Sequence, residues 1–135
     1  MSVIVTDEGF APEDFAGPFL PLDVLGEGAV AVDVPSDADP ATLDGKLDAL
    51  QMIRIDFPSF ADGRGFTIAR QLRRMGFAGR LRARGHVIAD QYAMARRCGF
   101  DEVEINDDLA ARQPAEQWQF RADWQDFDHQ ARLKA

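Results

Sequence analysis

Through residues 52–106 apolar and polar positions alternate in short runs, and each run gives way to a segment with helical spacing. Over Met52–Phe57, Ile53, Ile55 and Phe57 fall on one side and Arg54 and Asp56 on the other. Arg80–Arg84 repeats the pattern, with Leu81 and Ala83 against Arg80, Arg82 and Arg84. Glu102–Ile105 sets Val103 and Ile105 against Glu102 and Glu104. A period of two is the strand period. Ile68, Leu72 and Met75 follow helical spacing over Arg64–Met75, and Ile88, Tyr92 and Ala95 over Val87–Cys98. Gly76 and Gly99 then end those helices in the left-handed conformation. Upstream, Ala29–Val34 reads as a fourth strand. Asp39 caps a helix that begins at Pro40, with Leu43, Leu47 and Leu50 on its apolar side.

The resulting βαβαβαβ order requires parallel pairing with right-handed crossovers. Parallel sheets covered on both faces read as continuous apolar runs. These strands are half polar, so helices are expected on one face only. The predicted fold is α/β: a two-layer, four-stranded parallel sheet, open or half-barrel-like, within a single domain spanning 1–135. Residues 29–106 form its core. Residues 1–28 are interrupted by seven glycines and prolines, and predict an irregular arm with a short strand at Ser2–Val5. Residues 107–135 predict a helical tail that starts near Pro114, with Phe120, Trp124 and Phe127 at helical spacing and Trp118 beside them. This aromatic tail is the expected cover for the charged face of the sheet. Arg73-Arg74-Met75-Gly76-Phe77 returns as Arg96-Arg97-Cys98-Gly99-Phe100, 23 residues later. In both copies basic residues meet the negative end of a helix dipole, which marks a structural repeat.

Charge changes this picture. Residues 1–50 hold eleven acids and one base, residues 51–97 ten arginines and three acids, and residues 98–135 nine acids and four bases, for a net charge of −8. An acidic chain with a basic middle does not fit a nucleic-acid binder. Either the middle receives an anion, or the acidic flanks fold over it. No apolar run approaches the roughly 20 residues of a membrane span. The N-terminus has neither the basic start nor the apolar stretch of a secretory signal. A cytoplasmic protein without a membrane partner is the expectation. Cys98 is the only cysteine, which excludes an intrachain disulfide and four-thiolate metal centres, and no histidine pair has metal-ligand spacing.

Ligand sites of parallel sheets collect at the carboxyl ends of the strands. There Asp62-Gly63-Arg64-Gly65 follows the second core strand, Arg82, Arg84, Gly85 and His86 end the third, and Asp90-Gln91 opens the next helix. Asp62, Gly63, Arg64, Arg82, Arg84 and Asp90 are therefore expected around one anion-binding pocket. The plainer reading has Asp62 capping its helix, Arg64 solvated, His86 satisfied within its turn, and Asp90 placed by the helix dipole alone. No Gly-x-Gly-x-x-Gly follows a strand, because Gly63 and Gly65 are followed by Ile68. With no Cys-x-x-Cys motif either, no cofactor is expected.

Phe57-Pro58-x-Phe60-x-Asp62-Gly63-Arg64-Gly65-Phe66, Ala69-Arg70-x-Leu72-Arg73, Leu81-Arg82-Ala83-x-Gly85, Asp90-Gln91 and Cys98-Gly99-Phe100-Asp101 resemble the bacterial family called domain of unknown function 934. Members of that family are often labelled as probable oxidoreductases involved in sulfite reduction. The resemblance covers about residues 50–106 closely and carries over no catalytic residues. It implies an accessory protein of assimilatory sulfite reduction that binds a small anion or a reductase component. Two alternatives stand beside it: an enzyme acting on a small anionic metabolite at the carboxyl edge, and a structural homodimer whose charged sheet face is an interface.

Overall fold

The computed structural model of the chain describes residues 2–26 and 28–122. Seven strands appear in chain order: β1 (Ser2–Thr6), β2 (Gly9–Ala11), β3 (Leu20–Pro21), β4 (Ala31–Val34), β5 (Met52–Phe57), β6 (Arg80–Gly85) and β7 (Glu102–Asn106). Four helices accompany them: α1 (Arg64–Arg74), α2 (Tyr92–Cys98), α3 (Asp107–Arg112) and α4 (Ala115–Gln119). The strands form one mixed sheet in the order β2-β1-β7-β6-β5-β4-β3.

The expected four parallel strands are the centre of that sheet, β4 to β7, each beside its neighbour in sequence. A four-stranded, purely parallel sheet is nonetheless too small a description. The two-residue β3 extends the parallel block on one side, while β1 pairs antiparallel with β7 and with β2 on the other. Both additions come from residues 1–28, where the short strand expected at Ser2–Val5 is present as β1, while β2 and β3 fall in the part expected to be irregular. The helix expected from Pro40 also fails to form. Asp39 does cap it, accepting from the Ala41 amide at 3.0 Å, but the chain makes two 3-10 turns, Pro40–Leu43 and Leu47–Ala49. Gly45, at φ +81°, separates them, a conformation that no continuing right-handed helix contains. Leu43 and Leu47 still point inward and are buried.

Register explains the core. One row across the sheet reads Val34–Ile55–Ala83–Val103–Val5, wholly buried and apolar. Ile68, Ala69 and Leu72 of α1 and Tyr92 and Ala95 of α2 join the same buried cluster. Each large side chain taken fully out of water contributes roughly 1.5–3 kcal/mol. Phe57 sits at the centre of an aromatic cluster, 4.9 Å from Phe66 and 5.8 Å from Phe100 between ring centroids. The repeat has a structural use. Arg73 donates to the carbonyls of Phe77, Gly79 and Gly99, and Arg96 donates to that of Phe100. The basic residue of each helix end thus satisfies the backbone of the loop that follows.

Trp118 of α4 is fully buried, edge-on to Tyr92 at 6.0 Å, and its indole N–H donates to the Gln113 carbonyl at 2.9 Å. Phe120 is 75% exposed, and Trp124 and Phe127 lie outside the described residues. The described part of the aromatic tail therefore packs beside α2 and β2, and does not cover the charged sheet face. Among the described residues no helix is long and apolar enough to cross a membrane.

Candidate functional site

The face of the sheet turned away from α1 and α2 carries two charged rows. The inner row is Asp33–Arg54–Arg82–Glu102, and the outer row, nearer the carboxyl ends, is Asp56–Arg84–Glu104. Adjacent strands lie about 4.8 Å apart, so opposite charges in register meet directly. Arg54 grips Asp33 with two bonds of 2.6 and 2.9 Å and reaches Glu104 at 3.1 Å. Arg82 donates to Glu102 at 2.6 Å and to Glu104 at 2.9 Å. Arg80, one step toward the amino ends, donates to Glu102 at 2.7 Å.

What covers this network is the acidic N-terminal segment between β2 and β3. Glu13 closes a bidentate pair with Arg82 at 2.6 and 3.0 Å, and Asp14 accepts from Arg80 at 2.8 Å. The Phe19 ring lies 3.8 Å from the Arg54 guanidinium carbon, a cation–π stack, and packs on Phe15 at 5.3 Å. Arg82 is left with no solvent exposure at all. Burial opposes its charge, but the Glu13 bond and the charges of Glu102 and Glu13 outweigh that, and it is more basic than an ordinary arginine.

For Glu13, burial pushes the carboxyl up, while bonds from Arg82 and the Phe15 amide and the Arg82 charge hold it below its ordinary 4.5. A carboxyl lowered by folding stabilises the fold above its unfolded pKa, and that stabilisation is lost as pH falls through the folded value. Glu13 is 37% exposed, so its share is below about 1 kcal/mol. Urea midpoints at neutral pH and at about pH 3 should therefore differ less in Glu13→Gln than in the parent chain, the loss appearing only below the ordinary carboxyl range.

The outer row differs in one respect. Among the described residues Arg84 comes no closer to an acid than 4.0 Å, to Glu104, and its side chain is 48% exposed. Asp56, its register neighbour on β5, has no ion-pair partner among the described residues. Arg84 and Asp56 together line two adjoining cavities at the carboxyl edge, of about 780 and 450 Å³. The larger also touches Leu22, Asp23, Val34, Ala38, Lys46 and Arg54. The smaller touches Ser2, Gly85, His86, Glu104 and Asn106. His86 Nδ1 lies 3.2 Å from the Phe57 carbonyl and its ring meets Phe60 edge-on at 5.0 Å, so Nδ1 is assigned the proton and the ring is held in its turn.

Residues 31–132 match the family described as "Bacterial protein of unknown function (DUF934)". The chain belongs to that family. No curated protein and no solved structure matches it.

In this DUF934 chain the six residues expected to share one pocket are divided. Asp62 and Arg64 hold each other through bonds of 2.7 and 3.0 Å, and Asp62 also accepts from the Arg64 amide at 3.1 Å. These bonds, the side-chain one first, hold the Asp62 carboxyl far below the ordinary carboxylate range. Arg64 also donates to Ser36 at 3.0 Å and lines a separate groove with Ser36, Thr67 and Gln71. Gly63 lies exposed between the pair, and the glycine with a steric task is Gly65. A Cβ there would sit 2.5 Å from the Phe57 ring, so Gly65 lets α1 pack down on β5. Arg82 is inside the buried network. Asp90 pairs with Arg121 at 3.2 Å and lines a further surface cavity with Phe120. Of the six, Arg84 alone lines the carboxyl-edge cleft. Sequence reasoning placed Arg54 and Asp56 on the polar face but did not select them, and it gave no role to Asp33, Lys46, Glu13 or Phe19.

Proposed function

We propose that this DUF934 chain is an accessory protein of assimilatory sulfite reduction that holds a small anionic group at Arg84. One observation carries the ligand part: Arg54, Arg80 and Arg82 each hold a carboxylate at 2.6–2.7 Å, whereas among the described residues Arg84 meets none closer than 4.0 Å and faces a cleft. A guanidinium has five N–H donors in a planar fork, and an oxyanion in that cleft gains short, charge-assisted bonds from it. The cleft lies at the carboxyl edge of the parallel block, where such sheets collect ligands. The sulfite-reduction part is supported by the labels carried by the family that the sequence resembles.

The two parts are tested separately. Calorimetric titration with sulfite, sulfate and phosphate should give saturable binding, and Arg84→Gln should weaken it by about 10- to 150-fold, the scale of roughly 1.5–3 kcal/mol for a hydrogen bond to a charged group. Unchanged binding by Arg84→Gln removes the site. Deleting the gene should slow growth on sulfate and spare growth on cysteine. Normal growth on sulfate, with no second copy of the gene, removes the pathway.

A further inference from the structure

Beside Arg84 the outer charged row holds a group of opposite sign, Asp56, that is exposed and has no ion pair among the described residues. The register pairs of opposite charge in the inner row close tightly, Asp33 with Arg54 at 2.6 Å and Arg82 with Glu102 at 2.6 Å, whereas in the outer row Arg84 and Glu104 are 4.0 Å apart. Asp56 and Arg84 are also in register, yet no ion pair joins them. Glu104, on the far side of Arg84, already accepts from Arg54 and Arg82. Among the described residues the face is thus left with Arg84, 4.0 Å from its nearest carboxylate, and the exposed Asp56, without an ion pair, on adjacent strands and both lining the same cleft.

A bare oxyanion suits only half of that pair. Bound at Arg84, it would leave the neighbouring Asp56 carboxylate without a counter-charge. A ligand that presents a carboxylate to Arg84 and an ammonium group to Asp56 satisfies both. The two groups need only the few bonds between them that span about 4.8 Å of strand separation. The larger lobe has the room for the rest of such a molecule, with Leu22, Val34 and Ala38 for apolar parts and Asp23 and Lys46 for polar ones.

We infer that the carboxyl-edge cleft is a binding site for a zwitterionic metabolite of the α-amino acid class, held by Arg84 at its carboxylate and by Asp56 at its ammonium group. The inference rests on the proposed site at Arg84 and names its ligand class.

The test is nuclear magnetic resonance titration of the full chain with each of the twenty standard amino acids, at concentrations into the millimolar range. At least one should shift the amide signals of Asp56, Arg84 and Gly85 saturably. The same compound without its amino group, and without its carboxylate, should each bind at least about tenfold more weakly, as expected for a lost charged hydrogen bond. Asp56→Asn should weaken the amino acid about tenfold while leaving or improving affinity for the deaminated compound and for sulfite. Arg84→Gln should weaken both classes. If sulfite binds through Arg84 but no amino acid does, or if Asp56→Asn leaves amino-acid affinity unchanged, the zwitterion inference is overturned and the anion site stands. If no probe is sensitive to Arg84→Gln, both fall. Backbone signals elsewhere in the sheet report whether each variant keeps the fold.

Discussion

Arg82→Met is expected to lower the free energy of unfolding by about 3 kcal/mol, read as a fall in the urea midpoint with an unchanged slope. Arg82 has no solvent exposure and holds three carboxylates, those of Glu13, Glu102 and Glu104. Removing one partner of a buried ion pair usually costs about 3–5 kcal/mol, because the charge left behind has neither water nor a counter-ion. Here Glu102 keeps Arg80 and Glu104 keeps Arg54, which places the effect at the lower end. Among the described residues Glu13 keeps no other arginine, so Glu13→Gln should cost less in the Arg82→Met background than alone, with a coupling of at least about 0.5 kcal/mol. Strict additivity of the two changes would show that the arm is not held through this pair. Against a total stability of about 5–15 kcal/mol for a domain of this kind, the single change is large.

Trp118→Ala is expected to cost about 3–5 kcal/mol, the range for removing a large aromatic side chain from a packed site. Trp118 is fully buried against Tyr92, and it anchors a helix only five residues long. Gln119, next in α4, donates to the Glu8 carbonyl at 3.0 Å in the turn between β1 and β2. Loss of Trp118 should therefore free the hairpin as well as the helix. Hydrogen exchange at the amides of residues 3–11 should accelerate more than exchange in β5 and β6. Equal acceleration everywhere would mean that α4 stabilises the whole fold rather than this corner of it. Trp118→Phe, which keeps most of the volume and loses the N–H bond to Gln113, should cost markedly less.

The central strands were legible because their alternation is strict and because turn residues bound them. Met52–Phe57 reads as the same six residues in sequence and in structure. The first crossover was misread because Leu43, Leu47 and Leu50 keep a spacing that suits a helix. Gly45 breaks that helix, and Asp44-Gly45 was a turn signal that the leucine spacing overrode. β2 and β3 have three and two residues, too few for any period to appear, and their pairing depends on strands far away in sequence. The cover of the charged face was half legible. Charge balance points to acidic flanks folding over the basic middle, and among the described residues the acidic N-terminal segment is the one that does so, while the aromatic tail, only partly within them, carries the stronger hydrophobic signal. At the site, local spacing grouped residues that long-range pairing separates. Asp62 and Arg64 satisfy each other two positions apart, and Asp90 is taken by Arg121. Asp56 and Arg84 are singled out only by what fails to close around them, and no sequence pattern records an open pair.

The place of β1 between β2 and β7 has a consequence for how the protein is made. β1 is synthesised almost a hundred residues before β7, the strand that carries its longest register, from Ser2 opposite Asn106 to Val5 opposite Val103. At roughly 5–20 residues per second, the ribosome takes about 5–20 s to supply that neighbour. For that interval Ile4 and Val5 have only the three-residue pairing with β2 and Val3 has no strand partner, an exposed apolar edge of the kind that recruits other chains. Until β7 arrives, that edge of the nascent N-terminal segment stays unpaired on its β7 side.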